Sequence, residues 1–323
     1  MKPDINSFSE YFRSLKREID SRLEGLQLPS EPAYLYDPIR YAVRGKGKRL
    51  RPILVCLSSK AFNVDFEIAI NTAIAVELVH NFTLIHDDIM DNDDVRHGQR
   101  AVHSQWDVST AILAGDAVFV QAQILLSELD PKIHERLNQV TLTICEGQAL
   151  DKQFEGNRNI ELNQYLDMVG RKTGTLLGYC AEVGGRLGGS SELDCQSLFE
   201  YGNALGTAFQ IQDDLLEIFG TTAGMGKSLG SDLSAEKQTI LPVLARARSS
   251  EKWNRFFQST RHQVPEQKRA EFKDYFQSEG IYAEAGKIVE SYIHKAKTLV
   301  EVYPEKSRPV IEQFTEMILN RTF

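Results

Sequence analysis

The sequence predicts an all-helical fold, and three observations lead there. Proline is absent between Pro52 and Pro131, and again from there to Pro242, so long helices are permitted across the middle of the chain. Apolar residues recur at helical spacing in "YFRSLKREIDSRLEGL" and "AGKIVESYIHKAKTLVEVY", which read as amphipathic helices. Short β-leaning pieces such as "VTLTI" exist, but alternating strands bounded by turn residues do not recur.

Between those two helices lie segments that are apolar nearly all round, "FEIAINTAIAVELVHNFTLIHDDIMD" and "STAILAGDAVFVQAQILLSEL". Helices of that kind belong inside a bundle. The Gly- and Ser-rich breaks, "RLGGSSELD" at 186–194 and "FGTTAGMGKSLGSDLS" at 219–234, are short and closely flanked by helical patterns, unlike interdomain linkers. With no fixed-period repeat and no low-complexity tract, one domain spanning 1–323 is expected.

Composition excludes several classes of function. The 323 residues are 42% hydrophobic and 25% charged, ordinary for a globular enzyme. A net charge of −8, from 37 basic and 45 acidic residues, lacks the basic field that non-specific nucleic-acid binding relies on. The start, "MKPDINSFSEYFRSLKREID", does not look like a signal or transit peptide. No run reaches 18 uninterrupted apolar residues, so no transmembrane segment is expected. Cys56, Cys145, Cys180 and Cys195 lie far apart without a C-x-x-C pair; buried free thiols in a reducing, cytoplasmic setting are the reading.

The first chemical signal is "DDIMD", which closes one of the oily helices. Asp87 and Asp91 stand at i, i+4 and share a helix face, with Asp88 beside them. Carboxylates at a buried helix end are costly unless compensated. A hard divalent cation such as Mg²⁺ compensates them, typically held by one or two carboxylates plus substrate phosphates. "FQIQDDLLEIFG" repeats the arrangement about 125 residues later, with Asp213 and Glu217 at i, i+4 and Asp214 adjacent. Two such faces on two oily helices suit opposite walls of one cavity, holding metals that bridge a polyanion.

Cations to match are present. "RGKGKRLRP" carries five basic residues in its first eight, among glycines that let an anion approach the backbone, yet it is not a P-loop. "DVRHGQRAVH" adds Arg96, His97, Arg100 and His103; "GRKTG" adds Lys172 and Thr173; "GMGKSLGSDLSAEKQT" adds Lys227 and Lys237. Acid and base sets of this size fit the handling of magnesium-bound diphosphates.

In their order along the chain these segments resemble the trans-isoprenyl diphosphate synthases, or polyprenyl synthetases. The similarity covers almost the whole chain: "GKGKRLRP", "DDIMD", "RHG", "EGQALD", "RKTGTL", "FQIQDDLLE" and "GKSLGSDLSAEKQT" follow in family order. The resemblance implies an all-α bundle around a deep central cavity, commonly a homodimer, using three Mg²⁺ per site with Mn²⁺ able to substitute. It implies that Asp87, Asp91 and Asp213 hold the ions, with Asp88, Asp214 and Glu217 completing the clusters. Arg96, Lys172 and Lys227, with Thr173, Gln210 and Lys237, would cradle the allylic diphosphate, and Gly47, Lys48, Arg51 and His80 the isopentenyl diphosphate. The implied reaction ionises the allylic C–O bond, adds the isopentenyl double bond to the cation and loses a proton to the departing diphosphate, with no side-chain nucleophile. Four residues depart from the family pattern: Glu217 for its last aspartate, His97 for an arginine gripping isopentenyl diphosphate, Lys46 for a glycine, and Glu236 for a glycine before Lys237. Imidazole is the weaker anion ligand, so homoallylic affinity is expected to be lower.

Phe82 lies five residues before Asp87, about 7–8 Å along a helix axis, and Thr83 follows it. An aromatic there, with the short "DDIMD" spacing, resembles the geranylgeranyl (C20) type; ordinary core packing is the alternative for Phe82, and farnesyl diphosphate (C15) the alternative product. A terpene cyclase or squalene synthase-like enzyme also uses aspartate-rich helices, but the "GKGKRLRP" and "RHG" sites for a second diphosphate argue for chain elongation. A non-catalytic partner subunit fits poorly with two intact aspartate motifs. A purely structural bundle leaves so many charges beside oily segments without a purpose.

Overall fold

The computed structural model describes residues 5–45, 47–220, 237–260 and 264–320. The described chain is all-α, with one two-stranded hairpin as its β-structure. Its helices are α1 (Ile5–Glu24), α2 (Ala33–Val43), α3 (Leu50–Ala61), α4 (Phe66–Asp91), α5 (Val102–Gln105), α6 (Val108–Leu126), α7 (Pro131–Phe154), α8 (Leu162–Val169), α9 (Thr175–Leu187) and α10 (Glu192–Phe219). After these come α11 (Ile240–Arg248), α12 (Ser250–Ser259), α13 (Pro265–Ser278), α14 (Ile281–Leu299) and α15 (Arg308–Asn320). The β-leaning "VTLTI" is helical, within α7; local preference yields there to the helical pattern around it. The hairpin, β1 (Val95–Arg96) and β2 (Gln99–Arg100), was not expected.

The chain forms two compact units. The first comprises Met1–Thr141, Tyr179–Phe199 and Leu299–Phe323. Its centre is α4, packed against α3 and α6. Asp65 caps α4 by accepting from the N–H groups of Glu67 and Ile68 at 2.8 and 3.4 Å, which satisfies two donors the helix leaves open. Asn92, in the left-handed region at φ 55°, ends it. The small residues Ala111, Ala114, Gly115 and Ala122 on the buried face of α6 let the two helices come close. At Gly115 a Cβ would lie 2.3 Å from Nε2 of His86, so only glycine leaves room for that ring.

α4 matches its expected interior place. α6 corrects the sequence reading: although apolar nearly all round, it exposes Ile112, Leu113, Val120 and Ile124. By length and composition alone both helices are long and apolar enough to cross a membrane, but α4 is mostly buried within the protein and carries the aspartates in its last turns. The cysteines need a smaller correction: all four are free, but Cys145 is exposed while the other three are buried.

The second unit comprises Leu142–Gly178 and Glu200–Thr298. Its core joins Tyr165, Ile211, Ile218 and Leu241 to an aromatic cluster of Trp253, Phe257, Phe272 and Phe276. Trp253 stacks on Phe276 with centroids 5.7 Å apart and meets Phe272 edge-on at the same separation. Between α8 and α9 the helix widens into a π-helical turn over Gly170–Gly174, the "GRKTG" segment. Such bulges are uncommon and concentrate at functional sites.

Candidate active site

In the first unit the last turns of α4 carry Asp87, Asp88 and Asp91. Asp88 is buried and accepts from Nε of Arg96 at 2.8 Å and from the same guanidinium's Nη2. Arg96 Nη2 reaches Asp93 Oδ2 as well, at 3.2 Å. Asp93 therefore helps to position Arg96, while Asp94, which accepts from Ser104 Oγ at 2.6 Å, is exposed. Burial works against the charge on Arg96, but the hydrogen bond and charge of Asp88 outweigh it and the pKa rises.

What places Arg96 there is the unforeseen hairpin. Val95 pairs with Arg100 and Arg96 with Gln99, leaving His97 and Gly98 as a two-residue turn at φ 52° and 78°. A two-residue hairpin loop with both φ values positive is the type whose twist suits its strands. His97, expected only as an anion ligand, thus also serves as an exposed turn residue.

The basic loop before α3 divides its labour. Arg49, at φ 56°, is buried and bound to Glu77 Oε1 at 2.6 Å, Asp20 Oδ1 at 2.8 Å, and the carbonyls of Val43 and Gly45. It pins the loop, leaving Gly47 half-buried and Lys48 exposed. Arg51 enters α3 and its Nη1 lies 3.0 Å from Nε2 of His80. Guanidinium nitrogens only donate, so the imidazole accepts there and is neutral. Burial first, then the charges of Arg51, His97, Arg49 and Arg96, hold the His80 pKa well below its ordinary value. His80, Asp87 and Asp91 follow one stripe of α4, at spacings of seven and four. Thr83 lies about 40° round the helix from Asp87 and Phe82 about 140°. Phe82 is half-buried toward α6, its ring 5.2 Å from Phe119 and 5.0 Å from His86; Thr83 Oγ1 donates to the His80 carbonyl at 2.8 Å.

In the second unit the π-helical turn presents Lys172 and Thr173. Lys172 Nζ donates to Asp151 Oδ2 at 2.5 Å. The α7 backbone crosses against it: a Cβ on Gly147 would lie 2.4 Å from the Lys172 nitrogen, so "EGQALD" needs glycine at its second place. Thr173 Oγ1 donates to Gln210 Oε1 at 3.1 Å, and Gln210 Nε2 to Asp214 Oδ1 at 3.1 Å. Asp214 Oδ2 accepts from the Tyr165 hydroxyl at 2.6 Å and from the Ile240 N–H at 3.2 Å. Asp213 is half-buried and Glu217 buried on the same face of α10. Lys237 is half-buried just before α11. Lys46, Lys227 and Glu236 lie outside the described residues.

The first unit thus joins Arg96 to Asp88 at the acidic end of α4, and the second joins Lys172 to Asp151 and Thr173 through Gln210 to Asp214. Sequence reasoning missed Tyr165, Asp151, Arg49 with Glu77, and Phe119. Asp151 stood within a quoted motif; Tyr165 gave no local signal. Among the described residues no three acidic, histidine or cysteine side chains close round a single point. Both acidic helix ends offer carboxylate oxygens, the donor chemistry of a hard cation that draws its remaining ligands from water and phosphate.

Known proteins resemble this chain over most of its length. A family model described as polyprenyl synthetase matches residues 32–277. A geranylgeranyl pyrophosphate synthase of Geoglobus acetivorans is 37% identical over 73% of this chain and 76% of its own. A solved geranylgeranyl pyrophosphate synthetase from Pyrococcus horikoshii Ot3 superposes with TM-score 0.88 at 32% identity, covering 98% of this chain and 99% of that one. A polyprenyl synthase from Caulobacter crescentus CB15, solved with calcium and isoprenyl diphosphate, gives TM-score 0.88 at 26% identity over 99% of each chain. With its family model matched over most of its length, the chain belongs to the polyprenyl synthetases, the trans-isoprenyl diphosphate synthases.

Proposed function

We infer that this trans-prenyltransferase condenses isopentenyl diphosphate with allylic diphosphates, from dimethylallyl through farnesyl, to make geranylgeranyl diphosphate. One observation carries the reading furthest: a buried, oily helix ends in Asp87, Asp88 and Asp91, and a guanidinium is locked onto Asp88. That is a polyanion-handling headpiece at the end of an apolar wall. The geranylgeranyl relatives support the C20 product.

Asp87, Asp88, Asp91, Asp213, Asp214 and Glu217 would hold divalent ions, Mg²⁺ by their oxygen chemistry, three per site with Mn²⁺ as substitute. Bound there, such ions supply charge neutralisation to the leaving diphosphate; the calcium and isoprenyl diphosphate of the Caulobacter protein support this. Arg96, Lys172, Thr173, Gln210, Lys227 and Lys237 orient the allylic diphosphate and stabilise negative charge as the C–O bond breaks. Gly47, Lys48, Arg51, His80 and His97 receive isopentenyl diphosphate, His80 as a neutral ring that keeps the Arg51 guanidinium in place. The apolar flank of α4 shields the allylic cation from water, and the departing diphosphate takes the proton.

The chain is read as one domain, 1–323, since α7, α9 and α10 each contribute residues to both units. A homodimer is supported by the apolar face that α6 exposes, since contiguous exposed apolar surface marks interaction sites. A cytoplasmic location fits four unpaired cysteines. Incubation with labelled isopentenyl diphosphate, Mg²⁺ and each allylic primer in turn tests the activity. Extension of farnesyl diphosphate to a C20 product is expected; no incorporation with any primer would overturn the reading, and product stopping at C15 would make the protein a farnesyl diphosphate synthase. Sedimentation at micromolar concentration tests the dimer, with monomer as the contrary outcome.

A further inference from the structure

Arg246, in α11, is a buried cation outside the site described above. Its side chain is 8% exposed. Nη2 donates to Gln238 Oε1 at 2.5 Å, while Nε is buried and makes no hydrogen bond. Among the described residues no carboxylate pairs with it. Burial, then the neighbouring charge of Arg158, pushes its pKa down to about 10. Buried guanidinium groups are otherwise kept by a carboxylate, as Arg49 is by Glu77. A full positive charge in this position calls for an anion.

The surroundings are built to receive one. Arg246 lines a crevice of about 360 Å³, part of it open to solvent, with Gln238, Trp253, Phe257 and Phe272. Arg158 is exposed at the same crevice, its guanidinium 5.2 Å above the Phe257 ring, a cation–π contact that holds it over the opening. Lys237 also lines it. Aromatic walls lower the local dielectric and strengthen any ion pair formed inside. Gln238 holds Nη2 of Arg246 while the residue lines the crevice. A forked guanidinium edge matches a tetrahedral oxyanion in two-point fashion. The small, partly open volume admits a compact anion rather than a long chain.

We propose that this crevice, formed by Arg246, Arg158 and the Trp253, Phe257 and Phe272 rings, is a second anion site for a phosphate-class oxyanion. The crevice shares Lys237 with the allylic diphosphate set, but the five residues that carry the proposal lie outside that set.

Trp253 is one of two tryptophans in the chain, so it reports on its own crevice once Trp106 is replaced by Phe. Inorganic phosphate is titrated into that protein in chelator, without divalent ions, with Trp253 emission as the readout. A saturable change is expected; it persists in Lys172→Gln and disappears in Arg246→Met and Arg158→Gln. In phosphate-free buffer Arg246→Met melts higher than the wild type, since a buried unpaired charge has gone, and phosphate raises the melting temperature of the wild type only. No emission change at millimolar phosphate, an equal change in Arg246→Met, or a phosphate-free Arg246→Met protein that melts lower than the wild type overturns the proposal.

Discussion

The hydroxyl of Tyr165 donates to Oδ2 of Asp214 across 2.6 Å, both groups buried. With Gln210 and the Ile240 N–H on the same carboxylate, Asp214 is oriented by three donors from three elements. Burial first, then Asp214 itself, holds the Tyr165 pKa well above its ordinary value, so the phenol stays a donor throughout the usual assay range. Tyr165→Phe removes a hydrogen bond to a charged group, worth about 1.5–3 kcal/mol. Both a lower melting temperature and a roughly tenfold or larger fall in kcat are expected, a tenfold fall being about 1.4 kcal/mol. A stability loss with unchanged kcat would confine Tyr165 to a structural part.

His80 makes stability depend on acid. Its pKa in the folded protein lies well below the ordinary 6.5, so below about pH 6.5 the unfolded chain takes up a proton that the folded one refuses. Stability contributed by the neutral ring is therefore present above that pH and lost as pH falls, by up to about 1.4 kcal/mol per unit while the two states differ by one proton. Melting curves from pH 7.5 down to 5 should show a steeper acid fall for the wild type than for His80→Asn. Parallel curves would mean that His80 is protonated in the fold.

How much of this was readable beforehand differs by residue. The all-α fold followed from helical spacing and absent proline, because those patterns are local and repeat over many residues. Asp87, Asp88 and Asp91 stood out as candidates for the same reason of locality, since a charge at the end of an oily segment contradicts its surroundings. The part α6 plays was not: an apolar sequence says that a face avoids water but not what covers it. Tyr165 and Glu77 were hidden for another reason. Each acts through a partner 49 or 28 residues away, and nothing in the adjacent sequence marks it. The hairpin was missed because its turn is His97–Gly98 rather than the Asn–Gly signature, and the histidine had been weighed only as a ligand.

Arg49 and Glu77 form a buried ion pair at 2.6 Å that fixes the loop carrying Gly47 and Lys48. Glu77→Gln leaves the guanidinium with Asp20 and two carbonyls as its partners. Breaking a buried pair from one side costs about 3–5 kcal/mol, which thermal unfolding should register. If the pair serves the isopentenyl subsite through the loop, KM for isopentenyl diphosphate rises while KM for the allylic primer holds. Equal changes in both would mean a general loosening of the fold instead.

Phe82 rests on Phe119 of α6, and His86 fills the slot that Gly115 leaves beside it. Phe82 points about 140° away from Asp87 round the helix, so if a product tail runs down from the aspartates it would meet Phe82 where α4 packs on α6. A floor at that depth would then be shared by both rings. Phe82→Ala and Phe119→Ala should each lengthen the product by at least one isoprene unit, read by chromatography of the dephosphorylated alcohols. Gly115→Ala offers a third test, since its new methyl group would collide with the His86 ring and push it toward Phe82; a shorter product mixture is expected. Longer products from Phe82→Ala alone would place the floor on α4 without α6. Unchanged lengths in all three variants would return Phe82 to ordinary core packing.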